Sequence, residues 1–150
     1  MNRFETTELL AFAPDDLLEL VSDVPAYSSF LPWVKASRIS QEKQTETGRY
    51  FVGEAVIGYK AFRARFSTHV EVDEAARIIQ TKLIQGPFKS LACIWQFRPT
   101  QSGTLVDLAL DFEFSEPFLS TLLRSNMTKA VSRLIMAFTL EAEKRYAVKD

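Results

Sequence analysis

From residue 33 to residue 115 apolar and polar positions alternate with a period of two. The clearest run sets Phe62, Ala64, Phe66, Thr68, Val70 and Val72 on one face and Arg63, Arg65, Ser67, His69 and Glu71 on the other. The pattern returns with Val106, Leu108, Leu110, Phe112 and Phe114 facing inward and Asp107, Asp111 and Glu113 outward. Strands with one oily and one charged face belong to an antiparallel sheet that is solvated on one side. The period predicts strands over 33–43, 48–59, 61–73, 76–85, 88–99 and 104–115, with a looser first strand over 3–12. Turn residues separate most of them: Thr47-Gly48, Gly58, Asp73-Glu74, Gly86-Pro87 and Gln101-Ser102-Gly103. Connections this short make a meander the natural topology.

Two stretches follow a helical period instead. Pro14 with Asp15 and Asp16 marks a helix start, since proline lacks an N–H that would go unpaired there and carboxylates favour the positive end of the helix dipole. Leu17, Leu18, Leu20 and Val21 supply its apolar face, and it should end near Asp23, before Pro25. Residues 25–31 fit a second short helix ended by Pro32. Pro117 opens a long helix over about 117–146, in which Leu119, Leu123, Met127, Ala130, Val131, Leu134 and Phe138 form one stripe. Thr121, Ser125, Ser132 and Glu143 lie roughly opposite. The oily face of the sheet is the one large partner for that stripe, so the expected architecture is α+β: a six- to seven-stranded sheet curved around a long C-terminal helix, with two short helices after the first strand.

At 150 residues the chain fits a single domain spanning 1–150. Twelve phenylalanines are its one compositional surplus, and they serve a large core and a greasy pocket equally well. Gly53, Ala55 and Ala64 are small residues at inward positions, and glycine inside a strand permits sharp bending. Large and small inward residues could interdigitate tightly or line a void, and the pattern leaves both open.

Candidate chemistry is sparse. The sole histidine, His69, falls on the charged face of its strand beside Arg65 and Glu71, which reads as a surface position. The sole cysteine, Cys93, rules out an internal disulfide and sits in an apolar run between Leu91 and Trp95, as a small core residue would. No metal-ligand spacing, glycine-rich phosphate loop or nucleophile-elbow sequence is present. The formal net charge of −1 argues against DNA as a partner. Lys60, Arg63 and Arg65 make a small basic patch on an outer strand face, read first as a solvated face. Phe118, Leu122, Met136 and Leu140 lie off the main helical stripe near Lys129 and Arg133, a weak signal for contact with a membrane surface or a partner. The N-terminal residues show no targeting pattern and no stretch reaches the length of a membrane span, so a cytoplasmic protein is expected.

Three segments carry a family resemblance: Tyr27-Ser28-Ser29-Phe30-Leu31-Pro32-Trp33, then Gly86-Pro87-Phe88-Lys89 leading to Trp95-Gln96-Phe97, then Asp111-Phe112-Glu113-Phe114 before the last helix. With the element order, over about residues 2–147, the chain resembles the coenzyme Q-binding START-domain family. That family is related to polyketide cyclase-like helix-grip proteins and to the bacterial ribosome association toxin A. The resemblance implies a helix-grip fold, a hydrophobic tunnel beneath the long helix, and non-catalytic binding of ubiquinone or another polyprenyl lipid in support of respiration. It implies no catalytic residue, no metal and no cofactor other than ubiquinone as a bound ligand. Phe30, Trp33, Phe51, Phe62, Phe66, Trp95, Phe112, Phe114, Leu123, Met127, Leu134 and Phe138 are the candidate cavity lining. Tyr27, Trp33, Tyr50 and Tyr59 are candidates for a quinone headgroup by side-chain type alone. Candidate partners are a ubiquinone-like lipid, a peripheral contact at the inner face of the membrane and, as the alternative function, the large ribosomal subunit in a translation inhibitor. Many relatives carry a cysteine after the Pro-Trp pair; Val34 stands there in this chain, so no thiol role carries over.

Overall fold

The computed structural model describes residues 2–59, 62–115 and 127–146. Its elements are β1 (Asn2–Leu10), α1 (Pro14–Ser22), a 3-10 turn (Val24–Ala26), α2 (Tyr27–Phe30), β2 (Val34–Gln44), β3 (Gly48–Tyr59), β4 (Phe62–Asp73), β5 (Ile78–Gln85), β6 (Phe88–Thr100), β7 (Gly103–Phe114) and α3 (Met127–Tyr146). The expected order of a strand, two short helices, six strands and a long helix holds. The expected start of the last helix at Pro117, with Phe118, Leu119, Thr121, Leu122, Leu123 and Ser125, lies outside the described residues, as does Lys60.

All seven strands form one antiparallel sheet in the order β1-β7-β6-β5-β4-β3-β2. Strands β2 to β7 are the expected meander. The first strand closes on the last, from Asn2 opposite Phe112 to Leu10 opposite Thr104. Outside the sheet, that seam is reinforced by Thr7 Oγ1 donating to Asp107 Oδ1 at 2.7 Å and by an Arg3–Asp111 ion pair.

The register sets inward residues opposite inward residues: Phe51 faces Val70, Val72 faces Ile79, Ile79 faces Trp95, and Trp95 faces Leu108. These side chains are buried, together with Leu17, Leu20 and Val21 of α1 and Val131, Phe138 and Ala142 of α3. The core therefore sits between the concave sheet face and the helices. Helix α1 begins at Pro14 as expected, and its first-turn Asp15 accepts from Arg77 Nε at 2.8 Å, tying the helix to the β4–β5 turn. Gly53 is buried on the concave face, where a Cβ would meet Thr68 Oγ1 at 3.4 Å and Val24 at 3.8 Å. The small residue at this point makes room for the 3-10 turn, not for a ligand.

Three local features depart from simple alternation. The expected helix over 25–31 divides into the 3-10 turn and α2. Strand β5 starts at Ile78, not residue 76, because Ala76 N–H donates to Asp73 Oδ1 at 2.9 Å and Arg77 takes a φ of 57°. Strand β2 carries a bulge between Ser40 and Lys43, with Gln41 at a φ of 53°.

Gly103 closes the β6–β7 turn at a φ of +148°, and a Cβ there would lie 2.2 Å from the carbonyl oxygen of Leu10. Gly103→Ala is expected to cost about 1–3 kcal/mol, by backbone strain and by opening the β1–β7 seam. Gly53→Ala should stay within about 1 kcal/mol of the parent, because its Cβ meets ordinary contact distances. Urea unfolding of the two variants checks this, and equal effects would contradict it.

Candidate ligand-binding site

The concave face carries two aromatic groups. In the first, Phe138 of α3 is met edge-on by Tyr27 at 5.6 Å, Phe30 at 5.4 Å and Trp95 at 5.7 Å between ring centroids. Trp95 also stacks on Phe97. In the second, Phe88 stacks on Phe114 at 4.6 Å and takes the edge of Phe66, while Phe112 meets Phe114 edge-on. Phe88 is absent from the candidate lining expected from sequence. Counting back by twos from Trp95 places it outward, but a bulge between Phe88 and Ser90 turns it onto the concave face.

Burial divides this face. Beneath α1 and α3 it is sealed: Phe51, Trp95 and Phe138 are buried, and Leu134 is half-buried against the same core. Around the second group Ala64, Phe66, Leu83, Phe88 and Leu110 are only half-buried, while Phe112 and Phe114 are buried. Phe30 and Trp33 are half-buried at another edge. Leu123 and the side chains of Tyr59, Phe62 and Met127 lie outside the described residues.

Polar groups lock the sealed end. Tyr27 hydroxyl donates to the Val21 carbonyl, and burial first, then the Cys93 and Asp23 charges, push its pKa above the ordinary tyrosine range. Its hydroxyl is thus already engaged. Arg145, near the end of α3, donates to Glu141 Oε2 at 2.9 Å and to Asp23 Oδ2 at 3.1 Å, and lies over the Phe30 ring. Burial works against the guanidinium charge, yet hydrogen bonds to Glu141, Asp23 and Tyr146 outweigh it and hold the pKa above the usual arginine value. Tyr146 donates to Glu19 Oε1 at 3.1 Å. From the sheet side, Arg49 reaches Glu42 at 2.8 Å and Ser22 Oγ at 3.2 Å, and covers the Phe51 ring. Sequence reasoning missed this clamp. Its signal was Arg145 seven residues after Phe138, a charge on the core stripe.

Tyr50 lies on the outer face, where its hydroxyl meets His69 Nδ1 at 2.5 Å, so it does not reach the concave side. His69 is exposed there, as expected. Cys93 faces inward, half-buried against the core, and burial pushes its thiol up to about 12. Among the described residues no group of three His, Cys, Asp or Glu could hold a metal ion. A separate groove of about 440 Å³ runs outside the core between α2 with the start of β2 and the outer side of α3, lined by Phe30, Pro32, Trp33, Met136, Ala137 and Leu140, with Ser29, Arg133, Glu141 and Lys144.

Over residues 10–139 the chain matches the sequence family described as polyketide cyclase / dehydrase and lipid transport. The chain belongs to that family. The ribosome association toxin RatA of Rickettsia prowazekii is 33% identical over 146 residues, covering 95% of this chain and 97% of its own. The mitochondrial coenzyme Q-binding protein coq10 of Schizosaccharomyces pombe is 23% identical over 149 residues, covering 98% and 90%. The solution structure of the 18 kDa protein CC1736 from Caulobacter crescentus superposes with a TM-score of 0.83 at 34% identity, covering 99% of this chain and 100% of that one. The fold is the START-like helix grip, shared with START superfamily proteins.

Because only the thiolate is nucleophilic, Cys93 should resist alkylation in the folded protein by about a thousandfold relative to the denatured chain near neutral pH. The unfolded chain loses this proton from about pH 9.0, whereas the folded one holds it to about 12, so stability should fall as pH rises through that window. Iodoacetamide labelling with and without denaturant tests the first point, and rapid labelling of folded protein would refute it.

Proposed function

We propose that this protein binds ubiquinone or a related polyprenyl lipid without altering it, in support of respiratory electron transport. The observation that carries the reading is the stretch of half-buried apolar side chains around Phe66, Phe88 and Leu110 on the inner sheet face. An isoprenoid tail offers apolar surface alone, worth roughly 25 cal/mol per Å² removed from water, and needs few polar partners. Lipid transport stands in the family description, and one relative is named as coenzyme Q-binding. The same fold serves aromatase/cyclases. Against catalysis here, Tyr27 and Arg49 are committed to structural hydrogen bonds, His69 faces outward and the Cys93 thiol stays protonated. No described helix is long and apolar enough to cross a membrane, and a bilayer-borne ligand implies a peripheral contact with the membrane.

A ubiquinone analogue with a short isoprenoid tail should quench tryptophan fluorescence and raise the Tm. At a hundredfold excess over Kd the stabilisation is about 2.7 kcal/mol, a shift of several degrees. Ala64→Phe, which fills the open stretch, should weaken binding at least tenfold with little loss of stability. Absence of lipid in organic extracts of the purified protein, together with no quenching and no Tm shift, would sink the proposal.

A second reading, ribosome association, is favoured by the RatA relative and by a specific surface. Arg63 and Arg65 are exposed on β4, and the side chains of Arg63 and Lys35 converge over Gly58, where no side chain intervenes. Cations so grouped suit the phosphates of ribosomal RNA. On that reading the protein co-sediments with 50S subunits at low salt, and Arg63→Glu with Arg65→Glu abolishes the association; unchanged sedimentation of the double variant would exclude this surface.

A further inference from the structure

We infer that the groove beside α3 is a docking surface for an anionic lipid bilayer. Positions 129, 133, 136, 140 and 144 return to one side of the helix, opposite Val131, Phe138 and Ala142, which are buried. The middle of that side is apolar and open: Met136 is 63% exposed and Leu140 55%. Its flanks are the exposed cations Lys129, Arg133 and Lys144. Pro32 and Trp33 form the facing wall, and Lys35 Nζ, bonded to the Pro32 carbonyl at 3.0 Å, holds a further positive charge at that edge.

The charge balance decides between occupants. Glu141, the one acid lining the groove, has its carboxylate held by Arg145. Glu143 is the one acid on the outer side of the described helix, set against three cations. An apolar centre within a basic rim matches acyl chains below a layer of phosphate headgroups, and a tryptophan beside it suits the interface between them. Phe30 joins this surface to the interior, since the ring that lines the groove also packs on Phe138. The inference rests on the lipid-binding reading for its purpose, namely exchange of a bilayer-borne ligand. The surface itself is testable without that ligand.

The test is sedimentation of the full chain with phosphatidylcholine vesicles, with and without phosphatidylglycerol, at low and high salt. Binding is expected to the phosphatidylglycerol vesicles alone and to weaken with salt. Arg133→Gln with Lys144→Gln should weaken it about thirtyfold, roughly fivefold per charge. Met136→Ser with Leu140→Ser should weaken it about tenfold, and circular dichroism confirms the fold of both. Lys43→Gln with Lys82→Gln, the same charge change on the outer sheet face, should bind as the parent does. The inference fails if the parent ignores phosphatidylglycerol vesicles, if neither groove pair weakens binding, or if the sheet pair weakens it equally. Self-association abolished by the Met136 and Leu140 changes, without vesicle binding, overturns it in favour of a second copy. Ubiquinone uptake from detergent, measured in parallel, separates the readings: vesicle binding without uptake upholds this surface and defeats the ligand, and the reverse defeats the surface alone.

Discussion

Phe138 meets Tyr27, Phe30 and Trp95 edge-on, and through those three rings the last helix is seated on both α2 and the middle of the sheet. Each such pair adds about 0.5–1.5 kcal/mol beyond its buried area, and the geometry is directional, so the contact fixes the orientation of α3 as well as its attachment. The ion pair of Arg145 with Asp23 lies near the same point and resists rotation of the helix about its axis, while Glu141, one turn back on the same helix, orients the guanidinium. Loss of one partner would leave charge half-buried without compensation, which is costlier than the pair is stabilising.

The helix is anchored over Trp95 and α1, where the inner side chains are buried, whereas Phe66 and Phe88 are only half-buried. The division comes from two placements of bulk. Leu17, Leu20 and Val21 of α1 fill the space over β5 and β6, and the 3-10 turn fills the space over Gly53. No comparable apolar element among the described residues lies over Ala64 and Leu83, where small or half-buried side chains face inward. The proposed binding surface rests on this uneven burial across a curved sheet, and the side chains there are almost wholly apolar. The same seating turns Met136 and Leu140 outward among cations, so one helix contributes to an inner surface and an outer one.

Much of this architecture is legible in the sequence. Period-two alternation with turn residues determines six consecutive strands and their inward faces, and Pro14 and the Phe138 stripe determine the helices that cover them. These are local or near-local properties: a strand in a meander finds its partner within a few residues, and each side chain's face follows from parity. The half-buried stretch around Phe66 and Phe88 was legible only as an ambiguity, since the same phenylalanines serve a filled core or a lined cavity.

The tertiary structure alone decided the rest, wherever the deciding contact spans a long separation or a break in parity. The pairing of β1 with β7 joins residues about a hundred positions apart, which no turn signal announces. The bulge before Ser90 reverses Phe88, because one extra residue moves every side chain on its far side to the opposite face. Arg145 reaches Asp23 and Tyr146 reaches Glu19 across nearly the whole chain, and their meaning as a clamp appears only when the helix is docked. Composition and period therefore determine which faces are apolar, whereas the depth to which each face is covered depends on how separate elements fill a shared volume.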